Sequence, residues 1–224
     1  MHTLTSGMVI LTYILSSVSF PYLIARRAGV DLHKTGSRKL GGSNLFELVG
    51  PVAGVAGGVL DGAKGYLAVI AVSAAGLGAD TALWCGVAAV AGQLRPVFHG
   101  FNGGRANATG WGFAIAADPP AAVAMAIPVL AAAALRRLTM PRSSRLLPLA
   151  AIASFAVWPA VIWEQQGTTP AVLAGLAVLA LILLRRLTAD LRLDLATGAP
   201  AARVLWNRAL FDRSELQERG LVAI

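Results

Sequence analysis

Between Gly92 and Thr109 the chain gathers Arg95, Pro96, His99, Asn102, Gly103, Gly104, Arg105, Asn107 and Thr109. A run so dense in glycine and polar side chains is costly beside lipid unless it lines a wet cavity. Adjacent glycines let backbone N–H groups approach an anion with no Cβ between them, and Arg105 follows directly with a planar fork of donors. A helix predicted to begin near Ala108 would point its positive end at the same place. Phosphate binding is the chemistry this stretch suits. A basic loop that turns on its glycines has the same composition, and a lone Gly-Gly-Arg does not separate the two readings.

Two further stretches carry related chemistry. From Gly36 to Asn44 the chain reads G-S-R-K-L-G-G-S-N, setting Ser37, Ser43 and Asn44 among glycines beside Arg38 and Lys39. Such a segment suits phosphate or sugar hydroxyls, and Ser43 or Asn44 equally suits the N-cap of a helix. Asp61 and Lys64 stand three apart, a spacing that pairs a carboxylate and an ammonium on one helical face. Charges within an apolar run are expected to be functional, which makes Lys64 a candidate phosphate ligand and Asp61 its orienting partner. A pair at a helix end near the membrane interface is the plainer alternative.

The elements that must position these residues follow from composition. With 56% hydrophobic and 13% charged residues over 224 positions, and a mean hydropathy of +0.67, the chain cannot make a soluble surface. It is predicted to be an all-α polytopic membrane protein. The net charge of +8 falls in clusters between apolar runs, as the positive-inside rule expects, so nucleic acid is not an expected partner. Cys85 is the single cysteine and lies inside an apolar run, which excludes an intrachain disulfide and a thiolate metal site. His2, His33 and His99 show no ligand spacing, so neither metal nor cofactor is expected.

Residues 1–25 carry no charged side chain and can cross a bilayer at about 20 residues per span. Arg26, Arg27, Lys34, Arg38 and Lys39 follow them, which argues against a cleaved signal and puts the N-terminus outside. A half-helix is predicted from Leu45 to about Asp61, with 66–79 and 81–94 running out and back. Residues 111–135, broken at Asp118-Pro119-Pro120, are predicted to be re-entrant, which keeps Arg136, Arg137, Arg142 and Arg145 inside. Residues 146–163 go out, with Trp158 and Trp163 at the outer interface, and 170–184 return to Arg185-Arg186. The expectation is seven helical elements, about five full spans and two half-helices, with the C-terminus inside. A cytoplasmic tail, 188–224, follows, and its Val204–Phe211 segment is predicted to lie on the membrane through Trp206.

Three segments resemble the motifs of the acyl-phosphate-dependent glycerol-3-phosphate acyltransferases, the PlsY family of small bacterial membrane enzymes of seven helices. Residues 36–44 keep the serine, two glycines and final asparagine of G-S-G-N-I-G-A-T-N. Asp61, Lys64 and Gly65 match D-x-x-K-G. Gly92, Pro96, Val97, Phe98, Phe101, Gly103, Gly104, Ala108 and Thr109 match G-H-x-x-P-V-F-x-x-F-K-G-G-K-G-V-A-T. The resemblance covers roughly residues 8–200. It implies an enzyme of the bacterial inner membrane that moves a fatty acyl group from acyl phosphate to the 1-hydroxyl of glycerol 3-phosphate in phospholipid synthesis. Membrane lipid is its other implied partner, and neither a metal nor an acyl-enzyme intermediate is implied. By position the resemblance assigns Ser37, Lys64 and Arg105 to catalysis, and Lys39, Asn44, Glu47, Asp61, Gln93, Gly103, Gly104 and Thr109 to substrate binding. Residues 1–187 would form the acyltransferase-like domain.

The departures from that pattern are as informative as the matches. Gln93 stands for a histidine, Asn102 and Arg105 for two lysines, Ala106 for a glycine, Glu47 for an arginine and Lys39 for an asparagine. A third motif, H-x-x-N-I-x-R-L-x-x-G-x-E, survives only as Leu195 and Gly198, with Thr188, Leu191, Asp194 and Pro200 at its polar positions. These changes leave open a different acceptor, an amine or a neutral polyol, and a non-catalytic binder of lipid or phosphate.

Overall fold

A computed structural model describes residues 2–138, 146–189 and 191–212. The apolar runs fold as helices because a backbone in lipid must satisfy its own hydrogen bonds. Helices α1 (His2–Ser16) and α2 (Phe20–Arg27) make one apolar run, interrupted at 17–19, where Ser19 Oγ caps α2 by accepting from the Tyr22 N–H at 3.3 Å. A short α3 (Gly42–Leu48) precedes α4 (Pro51–Ala74) and α5 (Ala79–Leu94). A 3-10 turn (Val97–His99) leads through the central loop to α6 (Asn107–Ala117) and α7 (Pro119–Leu138). Next come α8 (Leu146–Gln166), α9 (Pro170–Thr188), α10 (Leu191–Leu195) and α11 (Ala201–Phe211).

Five helical stretches among the described residues are long and apolar enough to cross a membrane, the number expected, but they are not the same five: α5, expected as a full span over 81–94, has 16 residues and is not among them, whereas 119–137 is. No half-helix ends at Asp61. Helix α4 runs unbroken for 24 residues through Asp61 and Lys64, because both find partners inside the bundle and need no interface. The break at Asp118 is present, and its carboxylate caps α7 by accepting from the Ala121 N–H at 2.9 Å. Yet α7 is 20 residues long, a full span rather than a re-entrant half. Gln166 Nε2 donates to Asp118 Oδ2 at 3.4 Å, so the α6–α7 corner sits at the same end of the bundle as the end of α8.

The polar ends are tied in the same manner. At one end Thr5 meets Thr81 at 3.2 Å. Toward the other end Tyr13 Oη donates to the Arg95 carbonyl at 2.6 Å, and Arg95 donates to Thr188 Oγ1 at 2.6 Å. Basic residues of 26–39, 95–105 and 185–192 gather at this second end. Arg136 and Arg137 end α7, opposite its Asp118 corner; Arg142 and Arg145 lie outside the described residues.

The core contains Phe113, Phe155 and Trp158, with the Phe113 and Trp158 rings edge to face at 5.1 Å. Trp158 is therefore not at the outer interface as expected; it is 1% exposed, whereas Trp163 is 56% exposed. Helices α4 and α6 meet backbone to backbone. A Cβ on Gly65 would overlap the Thr109 carbonyl oxygen, and one on Gly112 would overlap the Gly62 carbonyl oxygen. Small residues permit this approach where lipid supplies no hydrophobic drive for helix pairing. Helix α11 packs on α8 and α9, burying Val204 and leaving Trp206 exposed, and Arg208 Nε donates to the buried Asp194 Oδ2 at 2.7 Å.

Candidate functional site

Ala106 adopts the left-handed conformation, φ 53°, and turns the central loop into α6. The first α6 hydrogen bond runs from the Gly110 N–H to the Ala106 carbonyl, so the N–H groups of Asn107, Ala108 and Thr109 have no acceptor within the helix. They front a cleft of about 430 Å³ between α3, α4 and α6. Lys39, Glu47, Asp61, Gln93, Arg105, Asn107 and Thr109 line its polar side; Phe46, Val55 and the bare glycines 42, 54 and 58 line the rest. Asn107 Oδ1 and Thr109 Oγ1 are buried there without a protein partner, leaving hydrogen-bonding capacity for a ligand.

One charged cluster is assembled from distant segments. Lys39 Nζ lies 3.1 Å from Asp212 Oδ1, and Arg105 Nε pairs with Asp212 Oδ2. Asp212 is buried and follows α11 in the left-handed conformation, φ 51°. Burial, and then the neighbouring Arg105, push the Lys39 ammonium down to about 8, against the opposing pull of Asp212. Burial alone would raise the Asp212 carboxyl, but Arg105, Lys39 and Arg186 outweigh it and hold the group below the usual carboxylate range.

A second cluster is built on α4. Lys64 Nζ stands 3.0 Å from Asp61 Oδ1 and donates to the carbonyls of Ser16 at 3.1 Å and Val18 at 2.8 Å, and to Gln93 Oε1. The break between α1 and α2 is what exposes those two carbonyls. Gln93 Nε2 donates to Asp61 Oδ2 at 2.7 Å and to the Leu40 carbonyl at 3.1 Å. An ammonium has three N–H donors, and these partners occupy them all.

Of the residues singled out from the sequence, Lys39, Glu47, Asp61, Gln93, Arg105 and Thr109 thus line one cleft. Ser37, Asn44, Lys64, Gly103 and Gly104 stand behind it. Asn44 Oδ1 accepts from the Ser37 N–H at 2.9 Å while its Nδ2 donates to the carbonyls of Thr35 and Lys39, which fixes the loop that carries Lys39. Neither Ser43 nor Asn44 is the N-cap; both lie inside α3, and Gly41 precedes it with no side-chain cap. The Gly104 N–H is spent on the Gln93 carbonyl, and a Cβ at Gly103 or Gly104 would overlap the carbonyl of Gln93 or of Leu40, so both glycines serve close packing. Sequence reasoning missed Asp212 as a site residue, and read Arg185 only as the basic end of a span. Arg185 Nη2 donates to Asn102 Oδ1 at 2.6 Å and to the Gly103 carbonyl at 2.8 Å, bracing the central loop from beneath.

Comparison with known proteins identifies the family of the chain. The family model described as glycerol-3-phosphate acyltransferase matches residues 6–193. The chain is 33% identical over 192 residues to the glycerol-3-phosphate acyltransferase of Pseudomonas paraeruginosa (strain DSM 24068 / PA7), covering 85% of this chain and 95% of that one. It is 38% identical over 117 residues to the enzyme of that name from Aquifex aeolicus (strain VF5), covering 52% and 61%. Among solved structures it resembles the crystal structure of PlsY, an integral membrane glycerol 3-phosphate acyltransferase, in its glycerol 3-phosphate form. The TM-score is 0.71 at 28% identity, over 90% of this chain and 98% of that one. The lysophosphatidic acid form gives a TM-score of 0.70 at 28% identity, over 87% and 92%. The helices that wall the cleft all fall within the matched residues, and this multi-pass membrane protein belongs to the glycerol-3-phosphate acyltransferase family.

Proposed function

We propose that the chain is an acyltransferase of the bacterial inner membrane that moves a fatty acyl group from acyl phosphate to the 1-hydroxyl of glycerol 3-phosphate, as a step of phospholipid synthesis. The hydroxyl oxygen forms an ester bond to the acyl carbonyl carbon while the bond from that carbon to phosphate breaks; phosphate leaves and the hydroxyl proton is released. One observation carries this reading. A single cleft joins a cationic, N–H-rich end at Lys39, Arg105 and the start of α6 to an apolar groove at Phe46 and Val55, beside the exposed Val52 and Val59. That polarity fits two phosphates and an acyl chain drawn from the bilayer.

Lys39 and Arg105 contact phosphate through charge-assisted bonds, and Thr109 Oγ1 with the first-turn N–H groups of α6 meets charge that develops on the reacting oxygens. Lys64 acts through Asp61 and Gln93, whose positions it sets. Ser37, Asn44, Gly103 and Gly104 hold the two loops in register. Positioning and electrostatic stabilisation then supply the rate, with no metal or cofactor. The positive-inside rule places the basic end in the cytoplasm, and with it the C-terminal tail, and leaves the N-terminus outside.

A second reading rests on Glu47, an exposed carboxylate lining the same cleft. It suits an acceptor that is neutral or carries an amine. Purified protein given labelled acyl phosphate with glycerol 3-phosphate, an amino alcohol or glycerol separates the two. The first reading expects product with glycerol 3-phosphate, and a KM for it raised about 10-fold or more by Lys39→Ala or Arg105→Ala, near 1.4 kcal/mol per decade. Product with another acceptor alone would favour the second, and no turnover with any of them would sink both.

A further inference from the structure

We propose that Asp212, delivered by the C-terminal tail, is a positioning residue of the phosphate site: its two carboxylate oxygens hold Lys39 and Arg105 side by side as one cleft-lining cationic pair. This rests on the reading of Lys39 and Arg105 as phosphate contacts.

The geometry is specific. Each oxygen of Asp212 takes one cation, and both cations also line the cleft. Two like charges brought this close in a mostly buried place repel, and the Lys39 ammonium, only 13% exposed, relieves that repulsion most easily by losing its proton. Arg185 and Arg186 stand around the same carboxylate and add to the positive field. They are committed elsewhere as well, Arg185 to the central loop and Arg186 to the Pro148 carbonyl at 3.0 Å. The other carboxylates of the cleft, Glu47 and Asp61, make no ion pair with Lys39 or Arg105 among the described residues, and Asp61 is bound to Lys64. Among the described residues, Asp212 is therefore the carboxylate that favours the charged form of Lys39.

The tail that carries it is tied down by buried contacts. The Asp212 N–H donates to the Arg208 carbonyl at 3.1 Å, and the Arg208 side chain is locked to Asp194 with both groups buried. The family match ends at residue 193, so this carboxylate comes from outside the matched body.

The experiment is a pH series of glycerol 3-phosphate kinetics on the full chain in detergent. In the parent, kcat/KM is expected to fall as pH rises through about 8, where Lys39 gives up its proton. Lys39→Arg should remove that limb, because a guanidinium stays charged; a limb that persists overturns the proposal whether or not other variants fold. Asp212→Asn should raise KM about 10-fold with a much smaller change in kcat, and move the limb down by about one pH unit or more. Asp212→Glu should recover most of both. Tighter glycerol 3-phosphate binding in Asp212→Asn would make Asp212 a competing anion, and an unmoved limb would make it merely structural; either result overturns the proposal. If Lys39→Ala leaves KM untouched, the phosphate reading itself fails; if it raises KM while Asp212→Asn does not, only the role of Asp212 falls.

Discussion

The cleft has two charged walls built on opposite plans. On α4, Asp61 and Lys64 stand one turn apart, neutralise each other, and spend their remaining bonds on Gln93 and two backbone carbonyls. Across the cleft, Lys39 and Arg105 share one carboxylate that lies 173 residues beyond Lys39 in the chain, leaving one cation of that group in excess. Charge balanced within a helix has nothing left to offer a ligand and works as framework. Charge collected from three segments and left in excess is what an anion can use. Burial makes both arrangements costly to disturb, but in different currencies: stability on the first wall, affinity on the second.

Three substitutions sharpen that contrast. The largest effect is expected from Lys64→Ala, which leaves Asp61 buried without its cation and should cost about 3–5 kcal/mol of stability. Chemical unfolding in detergent measures it, and Asp61→Asn added to Lys64→Ala should recover part of the loss. A Lys64→Ala protein as stable as the parent, with only KM raised, would reverse the roles given to the two walls. Next is Gly112→Ala, whose methyl meets the Gly62 carbonyl on α4 and must push the helices apart, at about 1–3 kcal/mol and with reduced turnover. Unaltered stability there would mean that α4 and α6 have slack. The smallest is Glu47→Gln. As an exposed change it should alter stability by less than about 0.5 kcal/mol, and by removing a repelling charge it should lower KM for glycerol 3-phosphate about twofold. A raised KM would instead make Glu47 an acceptor contact.

Legibility in the sequence followed the range of each interaction. The apolar runs, the three-residue spacing of Asp61 and Lys64, the break at Asp118 and a helix starting within one residue of Asn107 are local features, and all are present. The half-helix expected before Asp61 is absent, because a charged pair in an apolar run resembles an interface until its partners are known. Those partners, Ser16 and Val18, lie 48 and 46 residues away at a helix break. Arg185 looked like the end of a span, since nothing near it in sequence shows the carbonyls it holds, 82 residues earlier at Gly103. Asp212 sits in a mixed-charge tail with no motif around it, and only the fold brings it to Lys39.

The glycine contact between α4 and α6 also has a mechanical consequence. Membranes differ in thickness, and helices answer by tilting or sliding. A pair already touching backbone to backbone at Gly62, Gly65, Thr109 and Gly112 cannot close further, and side chains do not cushion it. Tilt in a thinner or thicker bilayer is then left to the other helices, such as α7, which shows Val123, Ile127 and Leu130 to the surroundings while burying Ala121, Ala122 and Met125. The spacing between Asp61 and Thr109 is then expected to be the same in either membrane.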